Sequence, residues 1–449
     1  MQKRQKLEKS RKSTQVTGSR PALMNSIWFF LIMSSILTAA WIGDPQKLTD
    51  VSFKAAQNAV NLAIGLTGAM ALWLGLMKIA ESGGLMTILA RIIRPVMTRL
   101  FPDVPPEHPA MSAMVLNMAA NALGLGNAAT PLGIKAMMAL NRLNPFPGTA
   151  TDAMCLFLAI NTSNVTILPL GTIAVRAAAG ASQPAAILLP SILATSCSTM
   201  VAIAAAKSLK KLYPLPHNEP VSPLPFSDID DRQEEQDETV KPAPIPATHP
   251  AKQIVFAGLG ICLIGAITWQ IYTGRIDISG ITGWIVPVLI FGLVGFGYMK
   301  GVPVYEQGVE GAKDGFKVAI RLIPFLVMIL VAVGLFRESG AFRILAHVLE
   351  PVTSLFGIPA EVIPMALLRP LSGSGAFGLM SEITANAPDS YAAFLAGTIQ
   401  GSTETTFYVL AVYFGAAGIR KTRYAVTAAL AADLAGFIAS VFFCSMFRP

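Results

Sequence analysis

The chain has 449 residues, 53% of them hydrophobic and 13% charged, with a mean hydropathy of +0.56. A soluble globule needs roughly a quarter charged residues to cover its surface, so the composition excludes one and indicates an integral membrane protein. The net charge of +8 does not point to nucleic acid, because much of the excess sits in residues 1–21 (Lys3, Arg4, Lys6, Lys9, Arg11, Lys12 and Arg20), where it suits a cytoplasmic tail beside anionic lipid.

The first apolar run, Ala22 to Ile42, has the about 20 residues that a spanning helix needs. Its length and long basic flank distinguish it from a cleaved signal peptide. Further spans are expected at about 56–80, 184–206, 254–272, 280–299, 315–336 and 424–446, with polar-interrupted spans near 150–180 and 391–418. Residues 207–251 are rich in proline and carry an acidic run from Asp228 to Glu238, the composition of a solvated, extended linker. It separates a membrane half at 22–206 from a second at 252–449. Cys155, Cys197, Cys262 and Cys444 lie far apart in apolar segments without a C-x-x-C, so no metal, cofactor or disulfide framework is expected.

The two halves repeat each other. "ESGGLMTILARIIRPVMTRLF" (Glu81 to Phe101) aligns with "ESGAFRILAHVLEPVTSLF" (Glu338 to Phe356), and each follows a span ending in a base, Lys78 or Arg337. A Gly-rich break comes next, "GLGNAATPLG" (Gly124 to Gly133) or "RPLSGSGAFG" (Arg369 to Gly378), and then a polar patch, "NTSNVT" (Asn161 to Thr166) or "GSTETT" (Gly401 to Thr406). Leu85, Ile88, Leu89, Ile92, Val96 and Leu100 share one helical face opposite Arg91 and Arg94, which predicts an amphipathic interfacial helix. His108 to Asn141 reads as two short apolar arms around Gly124–Gly126, a re-entrant hairpin. Glu361 to Ala387, broken at Gly373 and Gly375, repeats it. The first half then crosses four times, an even number, and the unmatched span at 254–272 inserts the second repeat inverted. Positive residues agree: Arg91, Arg94, Arg99, Lys207, Lys210, Lys211 and Arg420 to Arg423 fall on the side of the basic tail, although Lys47 and Lys54 do not.

Broken helices leave backbone groups that must be completed by protein, water or a ligand at membrane depth. The expected substrate-binding set is Asn127, Thr130, Ser372 and Ser374 from the hairpin tips, with Asn161, Thr162, Ser163, Asn164, Gln400, Ser402, Thr403, Glu404 and Thr405 from the patches. For any single hydroxyl, helix packing is an equally available role. Glu404 is an ionisable group inside a spanning segment, which suits either a water-filled cavity or an ion pair with Arg369 or Lys135. Asp433 reads as readily as a structural or interfacial group. His108, His217, His249 and His347 form no nucleophile or metal set, and no enzymatic activity is expected.

"GLGNAATPLGIKAM" and "FLAINTSNVTILP" resemble spore maturation protein A, and "RPLSGSGAFGL" and "QGSTETTFYVLAVYFG" resemble spore maturation protein B. Both belong to the nucleoside recognition, or Gate, membrane family, so the chain is similar to a fusion of two proteins usually made separately. The resemblance implies an all-α polytopic fold of two inverted repeats, each with an interfacial helix, a hairpin, a discontinuous helix and spanning helices. That order is similar to the concentrative nucleoside transporters. It implies a secondary, elevator-like transporter in the bacterial inner membrane, N-terminus cytoplasmic, for a small polar or anionic, nucleoside-like solute. A coupling ion, Na+ or H+, and a homo-oligomeric state are compatible with that reading. The alternative is a membrane scaffold or regulatory protein of the spore maturation type that acts with a partner and transports nothing.

Overall fold

A computed structural model describes residues 22–42, 45–163, 166–214, 250–273 and 284–447. The basic tail at 1–21 and the linker residues 215–249 lie outside the described residues. The described chain is helical, apart from one isolated bridge between Thr149 and Lys421.

The first half contains α1 (Ala22–Ile42), α2 (Pro45–Ser82), α3 (Leu85–Leu100), α4 (Pro109–Ala122), α5 (Gly126–Arg142), α6 (Asp152–Thr162), α7 (Leu170–Ala178) and α8 (Leu188–Leu209). The second contains α9 (Pro250–Tyr272), α10 (Ile285–Met299), α11 (Val304–Glu338), α12 (Ala341–Leu355), α13 (Ile363–Leu368), α14 (Gly373–Asn386), α15 (Tyr391–Ser402), α16 (Thr406–Ala416) and α17 (Ala425–Met446). From α10 onward the order of elements repeats that of α1 to α8, and α9 has no counterpart. Among the described residues, five helical segments are long and apolar enough to cross a bilayer: Gln46–Ser82, Pro184–Leu209, Lys252–Tyr272, Val304–Glu338 and Ala425–Met446. The chain is therefore a multi-pass membrane protein.

Local chemistry explains the boundaries. The hydroxyls of Thr151 and Ser390 accept hydrogen bonds from Met154 N (3.3 Å) and Ala393 N (3.1 Å), capping α6 and α15 at matching places in the two halves. Gly124 turns the first hairpin at φ +72°, where a side chain would be strained and its Cβ would lie 2.5 Å from Leu168 O. In the second hairpin the break falls at Arg369–Ser372, earlier than the glycines suggest. Ser372 caps α14 by accepting from Gly375 N at 3.1 Å, so Gly373 and Gly375 form the first turn of that helix.

The longest helices, α2 and α11, pack antiparallel, because Gly75 meets Gly308, Gly311 meets Leu74, Gly315 meets Ala71 and Gly334 meets Val51. Glycines let the backbones approach where no bulkier residue fits. Around this pair the halves interlock. Ser198 of α8 donates to Ala432 O of α17 at 2.8 Å. At one end Asp152 accepts from Arg423 (2.7 Å) and Tyr424 (3.0 Å) and pairs with Lys210 (2.9 Å). The hydrogen bond to Asp152 raises the pKa of Lys210, just beyond α8, against a smaller opposing effect of burial.

Candidate functional site

Each discontinuous helix is interrupted: residues 163–169 separate α6 from α7, and α15 is followed by an extended break at Thr403–Thr405 before α16. The breaks satisfy each other and the hairpins. Glu404 N donates to Thr162 O, the last carbonyl of α6, at 2.9 Å. Ile167 N donates to Ala122 O at the end of α4 (2.9 Å), and Phe407 N donates to Pro370 O in the second hairpin (3.0 Å). Helix ends that would otherwise hold orphaned carbonyls are thus tied together at one place.

A cavity of about 500 Å³ and one of about 370 Å³ lie along α2, α11 and α14. The smaller is where the breaks meet. Asn121 and Gly124 of the first hairpin, Arg369, Gly373, Ser374 and Phe377 of the second, Thr166, Leu168 and Pro169 of the first break with the first turn of α7, and Gln400, Gly401 and Glu404 at the second break all line it. Met70 of α2 and Val318 and Leu322 of α11 close the wall. Its size is within the range of small-molecule sites.

Arg369 is the cation among the described lining residues and is 4% exposed. Its guanidinium donates to Thr405 Oγ1 at 3.0 Å, Gln400 O at 3.3 Å and Thr403 O, which caps the carbonyl end of α15. Glu404 Oε2 lies 3.9 Å from Arg369 Nη2, and its side chain is 44% exposed. The two charges face each other without a hydrogen bond closing the pair.

Of the residues expected from sequence, Ser374, Gln400 and Glu404 line the cavity. Ser372 serves as the α14 cap. Thr162, Ser163 and Ser402 return hydrogen bonds to carbonyls three residues back, and Ser163 and Ser402 also meet Thr199 (2.9 Å) and Ser440 (3.0 Å). Asn161 accepts from Asn121 (2.9 Å) and Tyr413 (3.3 Å) behind the wall. Thr403 and Thr405 are buried against Arg369. Thr130 is part-buried in α5, away from the lining. Asn127 lies in the first turn of α5, and Asn164 falls outside the described residues. The sequence marks Arg369 only as a partner for Glu404; the Arg-Pro step inside an apolar run is the further signal at this position. Asp433 is buried and accepts from Thr406 Oγ1 at 2.7 Å.

The larger cavity is lined by Lys54, Asn58 and Asn61 of α2, Arg337 and Glu338 of α11, and Glu382 and Asn386 of α14. Arg337 and Glu382 pair at 3.0 Å across it. The N-terminal turn of α14 thus borders one cavity and its C-terminal turn the other.

The nucleoside recognition (Gate) family model matches residues 63–208 and 319–420, more than half of the chain. Spore maturation protein A of Bacillus subtilis (strain 168) is 46% identical over 181 residues, 40% of this chain and 92% of that protein. Spore maturation protein B of the same organism is 48% identical over 158 residues, 35% of this chain and 89% of that protein. Inner membrane protein YjiG of Escherichia coli (strain K12) is 33% identical over 81 residues, 18% of this chain and 53% of that protein. No solved structure matches. With near-complete counterparts of both spore maturation proteins in one polypeptide, the chain belongs to the nucleoside recognition (Gate) family of membrane proteins, in a form consistent with an A–B fusion.

Proposed function

We propose that the protein is a secondary active, elevator-like transporter of the bacterial inner membrane for a small polar or anionic, nucleoside-like solute, driven by Na+ or H+. The observation that carries this reading is the convergence of both hairpins and both helix breaks on one cavity of about 370 Å³. A purely structural crossing would fill that place with side chains, since interiors close-pack. The second cavity along the same three helices gives α14 and its hairpin somewhere to move. The scaffold reading draws on a different observation, that several patch hydroxyls bond to protein groups and away from the cavity. Uptake into vesicles that contain only this protein separates the two. Saturable, gradient-dependent accumulation of nucleosides or small anions is expected, and well-folded protein that moves none of them ends the transport reading.

The inverted arrangement of the repeats belongs to the same proposal. Cysteines placed at Arg94 and Arg420 should react with an impermeant thiol reagent from the cytoplasmic face, and one at Arg343 from the opposite face. Arg94 and Arg343 reacting from the same side is the result that removes the inversion.

The interlocking of the halves also predicts that the connection between them is dispensable. Residues 1–215 and 245–449 expressed as two chains should co-purify and retain activity, because α2 with α11 and α8 with α17 hold the complex together. Two well-expressed halves that do not associate would count against this.

A further inference from the structure

Taking the smaller cavity as the solute site, we infer that the solute carries an oxyanion, a carboxylate or phosphate group, that binds at Arg369 and displaces Glu404 from it. The Nη atoms of Arg369 are engaged by Thr405 Oγ1, Gln400 O and Thr403 O, but its Nε is buried without a partner. An unanswered donor on a buried guanidinium is costly unless a ligand or water completes it. The Gln400 carboxamide, also bordering the cavity, leaves its own oxygen buried and unpartnered, and it can accept from an N–H or O–H elsewhere on the solute.

A further group of donors borders the same space. The first turn of α14, at Gly373 and Ser374, lines the cavity, whereas Leu170 N and Thr172 N in the first turn of α7 already donate to Leu168 O and Pro169 O. First-turn amides have no intrahelical acceptor and favour a negative group. Gly373 has no side chain of its own, and a Cβ there would lie 2.6 Å from Thr405 Oγ1.

Glu404 is the one carboxylate among the described lining residues. At 3.9 Å from Nη2 it neutralises Arg369 without a hydrogen bond to it, and its one described side-chain hydrogen bond is from the neighbouring Thr405 N, at 3.3 Å. A charge held this loosely, 44% exposed, is an internal occupant of the anion site. A solute oxyanion with better geometry replaces it and moves it toward the water of the cavity. The two negative groups therefore compete for one cation, and each weakens the binding of the other by the same factor.

Thermal stability of the full-length protein in detergent, titrated with inorganic phosphate at ionic strength held constant with chloride, tests this. Phosphate should stabilise the wild type, and Glu404→Gln should respond at about tenfold lower phosphate because its competitor is gone. Ser374→Asp should fold well, since an acid suits a helix N-terminus, yet lose the response because it places a fixed carboxylate among the same donors. Arg369→Lys should weaken the response at least about tenfold, because an ammonium does not reproduce the guanidinium fork. No phosphate response in either wild type or Glu404→Gln overturns the inference, as does an unchanged response in Ser374→Asp. Binding and transport remain separable: uptake of a neutral solute without any phosphate response would reject the anion site alone, whereas a phosphate response without uptake of any solute would reject transport alone.

Discussion

Gly315→Val should cost the protein several kcal/mol and push α2 and α11 apart. A Cβ at Gly315 would lie 2.6 Å from Ala71 Cα, 2.7 Å from Ala71 N and 2.7 Å from Met70 O. All three are backbone atoms of α2, so no side-chain rotation relieves the contact and the helices must separate. Overpacking a well-filled interior costs about 1–3 kcal/mol where side chains can shift; a rigid backbone clash lies at or above the upper end. Separation at this level also moves Met70 away from Val318 and opens the wall of the candidate site. Gly308→Ala is the internal control, because a Cβ there meets only Ile79 Cδ1 at 3.5 Å, an ordinary contact. The melting temperature in detergent, followed by size-exclusion fluorescence, should fall sharply for Gly315→Val and stay near wild type for Gly308→Ala. Equal stability of the two variants would mean that α2 and α11 do not cross as closely as the glycines indicate.

The features that the sequence made legible are those with a local cause. Apolar run lengths located the five long helices, and the turn at Gly124 and the polar breaks in the two interrupted spans followed from residue types that disfavour continuous helix. The repeated order of motifs appears as a repeated order of elements, with α9 left unmatched. The choice of which hydroxyl faces the cavity was not legible. Thr162, Ser163 and Ser402 turn back to carbonyls of their own helices, and a Ser/Thr cluster looks the same whether its hydroxyls do this or point outward. Nor could the sequence show that Glu404 N closes the end of α6 at Thr162 O, a hydrogen bond between residues of different halves. Arg369 was similarly hidden. Its position next to the carbonyl end of α15 depends on how the hairpin folds back against the second break.

Glu404→Gln should leave the protein folded with a melting temperature within a few degrees of wild type, and should abolish net transport or strip it of its ion and pH dependence. Removing one member of a fully buried pair strands the other charge and costs about 3–5 kcal/mol. That situation does not hold here. Arg369 keeps Thr405 Oγ1, Gln400 O and Thr403 O as acceptors, and Glu404 is 44% exposed at 3.9 Å from it. With Glu404 half in solvent, screening leaves this pair weaker than a fully buried one. The glutamine also preserves the shape of the side chain and an acceptor for Thr405 N. What it removes is the only carboxylate described at the cavity wall, and with it the group able to accept a proton, attract a coupling cation or push an anion off Arg369. If Glu404 competes with the solute anion, the variant should bind phosphate more tightly while turning over more slowly, because nothing expels the bound group. A large drop in melting temperature would instead assign Glu404 a structural role, and a stable variant with unchanged, still ion-coupled uptake would remove it from the mechanism.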